Sequence, residues 1–196
     1  MTRDSLGRLS YVADRQLFAV VTADAGCGKS TLIRSFQRVC RRKNISSFTC
    51  RIQSSRQDGF IKDFRFLLNY KFDSESPMAL VLVGQSELWE DKLRLKRYDA
   101  VRQRIDINCV LPHLDRAETE KYIQSHLNYA GVTDRELFSR RAVDEIFRMS
   151  CGIPRLINRI CEKSLMYGCQ QNLQVIDDQD VLYVSDHEMI SGGDQL

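Results

Sequence analysis

The stretch Ala23-Asp24-Ala25-Gly26-Cys27-Gly28-Lys29-Ser30-Thr31 decides how the rest of the chain is read. It fits the pattern G-x-x-x-x-G-K-[ST], with Ala23 in place of the outer, less demanding glycine. Gly26 and Gly28 permit backbone angles that turn several N–H groups inward, which makes an anion-binding nest at a helix start. Lys29 has the length to reach the β and γ phosphates of a nucleotide, and the Ser30 hydroxyl is of the kind that ligates Mg²⁺. The flanks agree with this reading. Leu17 to Thr22 (LFAVVT) is a short apolar, β-branched run, and Leu32, Ile33, Phe36, Val39 and Cys40 recur at the three- and four-residue spacing of one helix face. The order strand, glycine turn, helix is what a phosphate loop requires, whereas a chance GKST in an ordinary loop would lack it.

Working outward, Ile45–Ile52 (ISSFTCRI) reads as a second strand and Met78–Val83 (MALVLV) as a third, apolar on both faces as in a parallel sheet covered by helices. Asp63–Tyr70 reads as a helix, Glu87–Arg104 is charged and helix-compatible, and Ile105–Leu111 alternates as a further strand. After Pro112 the pattern is helical only. Asp115 with Glu118 makes a capping-box start, Tyr122, Ile123, Leu127 and Ala130 supply a stripe, and Gly131 is placed to close it. Ser139 opens a second helix, Pro154 suits the first position of a third, and Val175–Val184 gives a short last one. The expected architecture is an α/β core over 1–111, a small all-helical part over 112–185, and a disordered acidic tail over 186–196.

Composition bounds the function classes. The chain has 196 residues, 43% hydrophobic and 28% charged, with only 3 Pro and 10 Gly, so linker-like and disordered chains are excluded. Its longest apolar run is far short of the ~20 residues that cross a bilayer, and the charged N-terminus lacks a secretory h-region. A cytoplasmic protein is expected. Seven widely spaced cysteines without a CxxC pair read as reduced thiols, and the isolated His113, His126 and His187 lack ligand spacing. The net charge of +3 hides a cluster of six basic residues from Lys92 to Arg104 against one acid. Such a cluster suits either a solvated face or contact with nucleic acid.

Hydrolysis of a bound triphosphate also needs an acid at a strand end, to hold the water shell of Mg²⁺, and usually a second to activate water. No apolar strand here ends that way. MALVLV runs into Gly84-Gln85 and ISSFTCRI into Gln53, and the acids between the loop helix and the third strand, Asp58, Asp63, Asp73 and Glu75, follow no apolar run.

From Arg65 onward the wording FLLNYKFDSESPMALVLVGQSELW, QRI, LPHLDRAETEKYI, LFSRRAVDEI and SCGIPRLINRICEKSL, with FAVVTADAGCGKSTLIRSF upstream, resembles the ExeA/GspA-like branch of AAA+ ATPases, near the origin-recognition group. The resemblance covers residues 5–40 and 63–184. It implies a P-loop NTPase core of the AAA+/ASCE type, a parallel three-layer α/β/α arrangement followed by a helical lid. It also implies ATP and Mg²⁺ as cofactors, with Ala25, Gly26, Cys27, Gly28, Lys29, Ser30 and Thr31 at the nucleotide and Ser30 on the metal. Gln85 matches the sensor-1 residue that orients water, Arg155 the sensor-2 arginine of the lid, and Arg104 the arginine finger offered to a neighbouring subunit. The bland readings are a strand cap for Gln85, a partner Glu162 or Glu145 for Arg155, and a solvated face for Arg104.

The departure from the family is large. Members place a helix, a strand and its acidic end between the second strand and the helix expected at Asp63, and Arg51–Lys62 is too short to hold them. That lost strand lies between the sensor-1 strand and the second strand, so its neighbours must re-pair or stay exposed. Either nucleotide binding alone survives, or Asp58 or Asp63 replaces the acid. The functions implied are an ATP-dependent helper of DNA transposition or remodelling acting with a transposase, an ExeA-like ATPase of the secretion machinery, or a non-catalytic regulatory subunit assembled with intact copies in a homo-oligomer.

Overall fold

The computed structural model describes residues 2–52, 78–133 and 135–187. Contacts divide the chain into two units, Met1–Pro112 and His113–Leu196.

The first unit is built on a parallel sheet. Its strands are β1 (Phe18–Thr22), β2 (Ser47–Arg51), β3 (Ala79–Gly84) and β4 (Ile107–Val110), in the order β2-β3-β1-β4. Every residue of β1 and β3 is buried, which explains their unbroken apolar sequence: a parallel strand with both faces covered has no side to leave polar. β2 and β4 lie outermost in that order and are only half buried. The two possible fates of the strands flanking the expected gap are thereby decided. β2 pairs directly with β3 over five residues, from Ser47 opposite Ala79 to Arg51 opposite Val83.

Two long helices pack in this unit among the described residues. The first, α1 (Thr2–Arg15), was not expected from the sequence, and it lies against β1, β3, β4 and the helix α2 (Lys29–Lys43) that follows the glycine turn. Ser5, Leu9, Val12 and Ala13 are its buried residues, spaced four, three and one apart as one helix face demands. Fully burying Leu9 and Val12 contributes about 1.5–3 kcal/mol each. The stripe was present in the sequence, but Gly7 and the interspersed charges obscured it. α2 buries Leu32, Phe36 and Cys40 and ends at Asn44, whose left-handed backbone (φ 54°) closes the helix.

Glu87–Arg104 is not the single helix expected. The chain makes a π-helical turn at Leu88–Lys92, a 3₁₀ turn at Lys96–Tyr98 and a four-residue helix α3 (Asp99–Arg102). Leu88, Leu93, Tyr98 and Val101 are buried, at intervals of five, five and three that no straight α-helix holds on one face. The Leu93 N–H donates to Leu88 O at 3.0 Å, the wide bond that brings both side chains inward.

The second unit contains α4 (Arg116–Tyr129), α5 (Arg140–Ser150), α6 (Pro154–Gln170) and α7 (Asp178–His187) around Ile123, Ile146, Ile157, Ile160 and Val181. Its caps are those read from the sequence. The Glu118 N–H donates to Asp115 Oδ1 (2.7 Å) and the Asp115 N–H to Glu118 Oε2 (3.1 Å), a reciprocal pair of a kind typically contributing about 1 kcal/mol. Ser139 Oγ accepts from the Ala142 N–H, and Pro154 opens α6. The last helix begins three residues later than Val175. The Ile176 backbone is taken by a bridge to Phe138, donating to Leu137 O and accepting from the Ser139 N–H, both at 2.9 Å. The helix continues through Asp186 and His187, where the acidic tail was expected to begin. The expected helix Asp63–Tyr70, the acids Asp58 and Asp63, and residues 188–196 lie outside the described residues.

All seven cysteines are free thiols, and burial pushes Cys161 up to about 12, which keeps it protonated and unreactive at neutral pH. Among the described residues, no helix is long and apolar enough to cross a membrane.

Candidate functional site at the glycine turn

The loop that leaves β1 is shaped by its two central glycines. Gly26 (φ 94°) and Gly28 (φ 83°) both lie in the left-handed region, which a side chain would strain. A Cβ on Gly28 would meet nothing within 4 Å, so its requirement is conformational and not one of space. The loop is tied to the end of the neighbouring strand: the Ala23 N–H donates to Gly84 O (3.4 Å), and Ser86 Oγ donates to Asp24 Oδ1 (3.1 Å). Cys27 is buried while Ala25 and Thr31 are exposed, so the turn presents backbone outward and anchors itself on the thiol side chain.

Lys29 begins α2 and bends back over the turn. Its Nζ donates to the carbonyl oxygens of Ala23 (2.5 Å) and Asp24 (2.8 Å), which holds the ammonium at the loop mouth. There it adds to the partial positive charge of the start of α2, whose first turn carries no acid to offset it. The arrangement offers an anion a helix start and a full cation.

The other expected residues are distributed unevenly. Gln85 follows β3 directly, is exposed, and stands beside the loop because Gly84 pairs with Thr22, the last residue before the turn. Arg104 precedes β4, at the opposite end of the parallel sheet from the loop, and so is not brought to the glycine turn of its own sheet. Arg155 is the exposed second residue of α6 in the second unit. Glu145, one partner considered for it, forms an ion pair with Arg148.

The residue that sequence reasoning missed is Arg51. It is the last residue of β2, and its Nη2 donates to Ser30 Oγ. The signal was available in the shortness of 51–62: once a central strand is absent, the end of the second strand moves beside the sensor-1 strand and so beside the loop. Magnesium was expected on Ser30. In this structure that hydroxyl accepts from the Arg51 guanidinium, so an ion placed on it would meet a fixed positive charge.

The comparisons agree with this geometry. Over 108 residues, 55% of its length, the chain is 33% identical to general secretion pathway protein A of Aeromonas hydrophila. It spans only 19% of that relative's length. No family model matches. Among solved structures, a variant of the RuvB of Thermotoga maritima superposes with a TM-score of 0.64 at 13% identity, covering 94% of this chain and 66% of that one. The Aeropyrum pernix ORC1 protein in complex with DNA gives 0.63 at 10% identity, with 95% and 65% covered. Part of the chain is thus similar to that secretion-pathway protein, and its fold is the AAA+ P-loop fold of these structures. The direct pairing of β2 with β3 closes the sheet at the place where the sequence resemblance implied a further strand.

Proposed function

We propose that this chain binds ATP at Gly26–Thr31 and does not turn it over, acting as a regulatory AAA+ subunit. The observation that carries the reading is the end of the sheet facing the loop. β1 leads into the glycine turn with Lys29 in place, while its neighbours β3 and β4 end in Gly84-Gln85 and Val110-Leu111, and β2 beyond β3 ends in Arg51-Ile52, so no described strand ends in a carboxylate. In this reading Gln85 contacts the γ-phosphate side of the nucleotide, Arg155 keeps the sensor-2 role that the resemblance implies, and Arg104 acts on the nucleotide of a neighbouring copy, where an arginine of this kind stabilises transferring phosphate. Calorimetric titration of ATP into the purified chain tests it. Saturable one-site binding is expected, and no heat up to millimolar nucleotide would remove the proposal.

An observation also favours DNA over the secretion apparatus as the partner. Arg94, Lys96 and Arg97 are all exposed within four residues, on the segment whose Leu93 and Tyr98 are buried in the core. In this second reading the chain is a nucleotide-responsive helper of DNA remodelling such as transposition. Duplex binding should then weaken steeply with salt, and the triple change Arg94→Glu, Lys96→Glu, Arg97→Glu should flatten the slope by about three. Association that ignores both would leave the secretion-type role of the curated relative as the better reading.

A further inference from the structure

The geometry points to Arg51 as a built-in replacement for the magnesium ion, so that this site takes the metal-free nucleoside triphosphate. The inference rests on the nucleotide-binding reading above and names the form of nucleotide bound and the group that recognises it.

The direct pairing of β2 with β3 places Arg51 opposite Val83, and the following residue continues the ladder, with the Ile52 N–H donating to Val83 O at 2.7 Å. Arg51 therefore stands at a strand end held by backbone hydrogen bonds to β3. Its guanidinium reaches Ser30 Oγ, one residue beyond Lys29. Around that contact is a cavity of about 280 Å³ lined by Ser30, Arg34, Gln37, Thr49 and Arg51 among others. Ser30 and Arg34 are one helical turn apart on α2, and Thr49 and Arg51 share one face of β2, so two elements converge two guanidinium groups and three neutral polar side chains there. Thr49 Oγ1 is buried and has no hydrogen-bond partner, a polar atom left waiting for one.

A cavity of this composition suits phosphate oxygens and repels a second cation. A divalent ion held by one carboxylate presents a net single positive charge to the phosphates. One guanidinium presents the same charge, in a fork that matches two phosphate oxygens. With Arg51 in that place, a magnesium ion on Ser30 would sit against a like charge and lose its hydroxyl ligand. The nucleotide carrying its full negative charge is the better partner.

The test is ATP affinity of the full chain, measured by calorimetry once in excess Mg²⁺ and once in excess EDTA, for wild type, Arg51→Gln and Arg51→Lys. Wild type should bind in EDTA within about threefold of its affinity in Mg²⁺ or more tightly. Arg51→Gln should weaken binding in EDTA by about tenfold or more, a loss of the size that one charge-assisted contact produces. Arg51→Lys, which keeps the charge, should recover much of it. Circular dichroism on each variant reports that the sheet is intact. Wild-type affinity that rises tenfold or more with Mg²⁺ overturns the inference while leaving nucleotide binding standing, as does an Arg51→Gln variant that binds like wild type in EDTA. No binding in either condition overturns both.

Discussion

Lys29→Ala should lower ATP affinity by a hundredfold or more without unfolding the chain. Lys29 is the one ammonium held at the loop mouth by the loop's own carbonyls, at 2.5 and 2.8 Å, so the cation is already in place when phosphate arrives. Hydrogen bonds between charged groups contribute about 1.5–3 kcal/mol each, and losing two of them to the β and γ phosphates costs about 3–6 kcal/mol, which is at least a hundredfold. The fold should tolerate the change. Alanine is the best helix former, position 29 is the first of fifteen in α2, and Asp24, one of the two carbonyls freed, is an exposed residue. Calorimetry gives the affinity and far-ultraviolet circular dichroism the fold. A variant that binds within threefold of wild type would mean that the loop is not the nucleotide site.

Gly152→Ala should unfold the helical unit, or lower its thermal midpoint by about 15 °C or more. Gly152 follows Cys151, which ends α5 in a left-handed conformation, and is itself at φ 73°. A Cβ built there would stand 1.9 Å from Leu114 O and 2.9 Å from the Leu114 carbonyl carbon. Both atoms belong to the backbone, so no side chain can swing aside. The same segment also carries the bond from the Leu114 N–H to Gly152 O, at 3.0 Å. Backbone strain of about 1–3 kcal/mol, with displacement of Leu114 and loss of that bond, gives about 3–5 kcal/mol. In a unit of this size each kcal/mol shifts the midpoint by about 4–8 °C. Gly131→Ala is the control. Its φ is 91°, but nothing lies within 4 Å of the added Cβ, so only the conformational cost of about 1 kcal/mol should appear. Equal midpoints for the two variants, followed by circular dichroism on heating, would contradict the packing argument.

These two positions show what was legible in the sequence and what was not. The glycine turn could be read because its chemistry is local: Gly26, Gly28, Lys29 and Ser30 lie within five residues, and the strand and helix flanking them announce themselves by period. The helix caps at Asp115 and Ser139 were legible for the same reason, since each bonds to a residue three positions away. Arg51 was not, because what makes it notable is a pairing between strands, and the deletion argument left two outcomes open for the strands on either side of the gap. Nor was the path from Leu88 to Val101. Its buried residues follow a changing period that mixes π, 3₁₀ and α turns, and a run of charge hid them. Gly152 was visible only as part of a family-like segment, because its crowding against Leu114 joins backbone atoms some forty residues apart.

The glycine turn with Lys29 thus stands in a sheet whose β2 pairs directly with β3. In the proposed reading the glycine turn, the helix start and Lys29 hold the triphosphate, whereas activation of water needs a carboxylate that neither β2 nor β3 supplies at its end. The measurement that tests this most directly is phosphate release from saturating ATP by the purified chain, followed beside Lys29→Ala over many hours. The account predicts ATP that stays intact, with release by the wild type no faster than by the variant. Release that is sustained over multiple turnovers and lost in Lys29→Ala would contradict it and show that the chain carries a catalytic acid elsewhere.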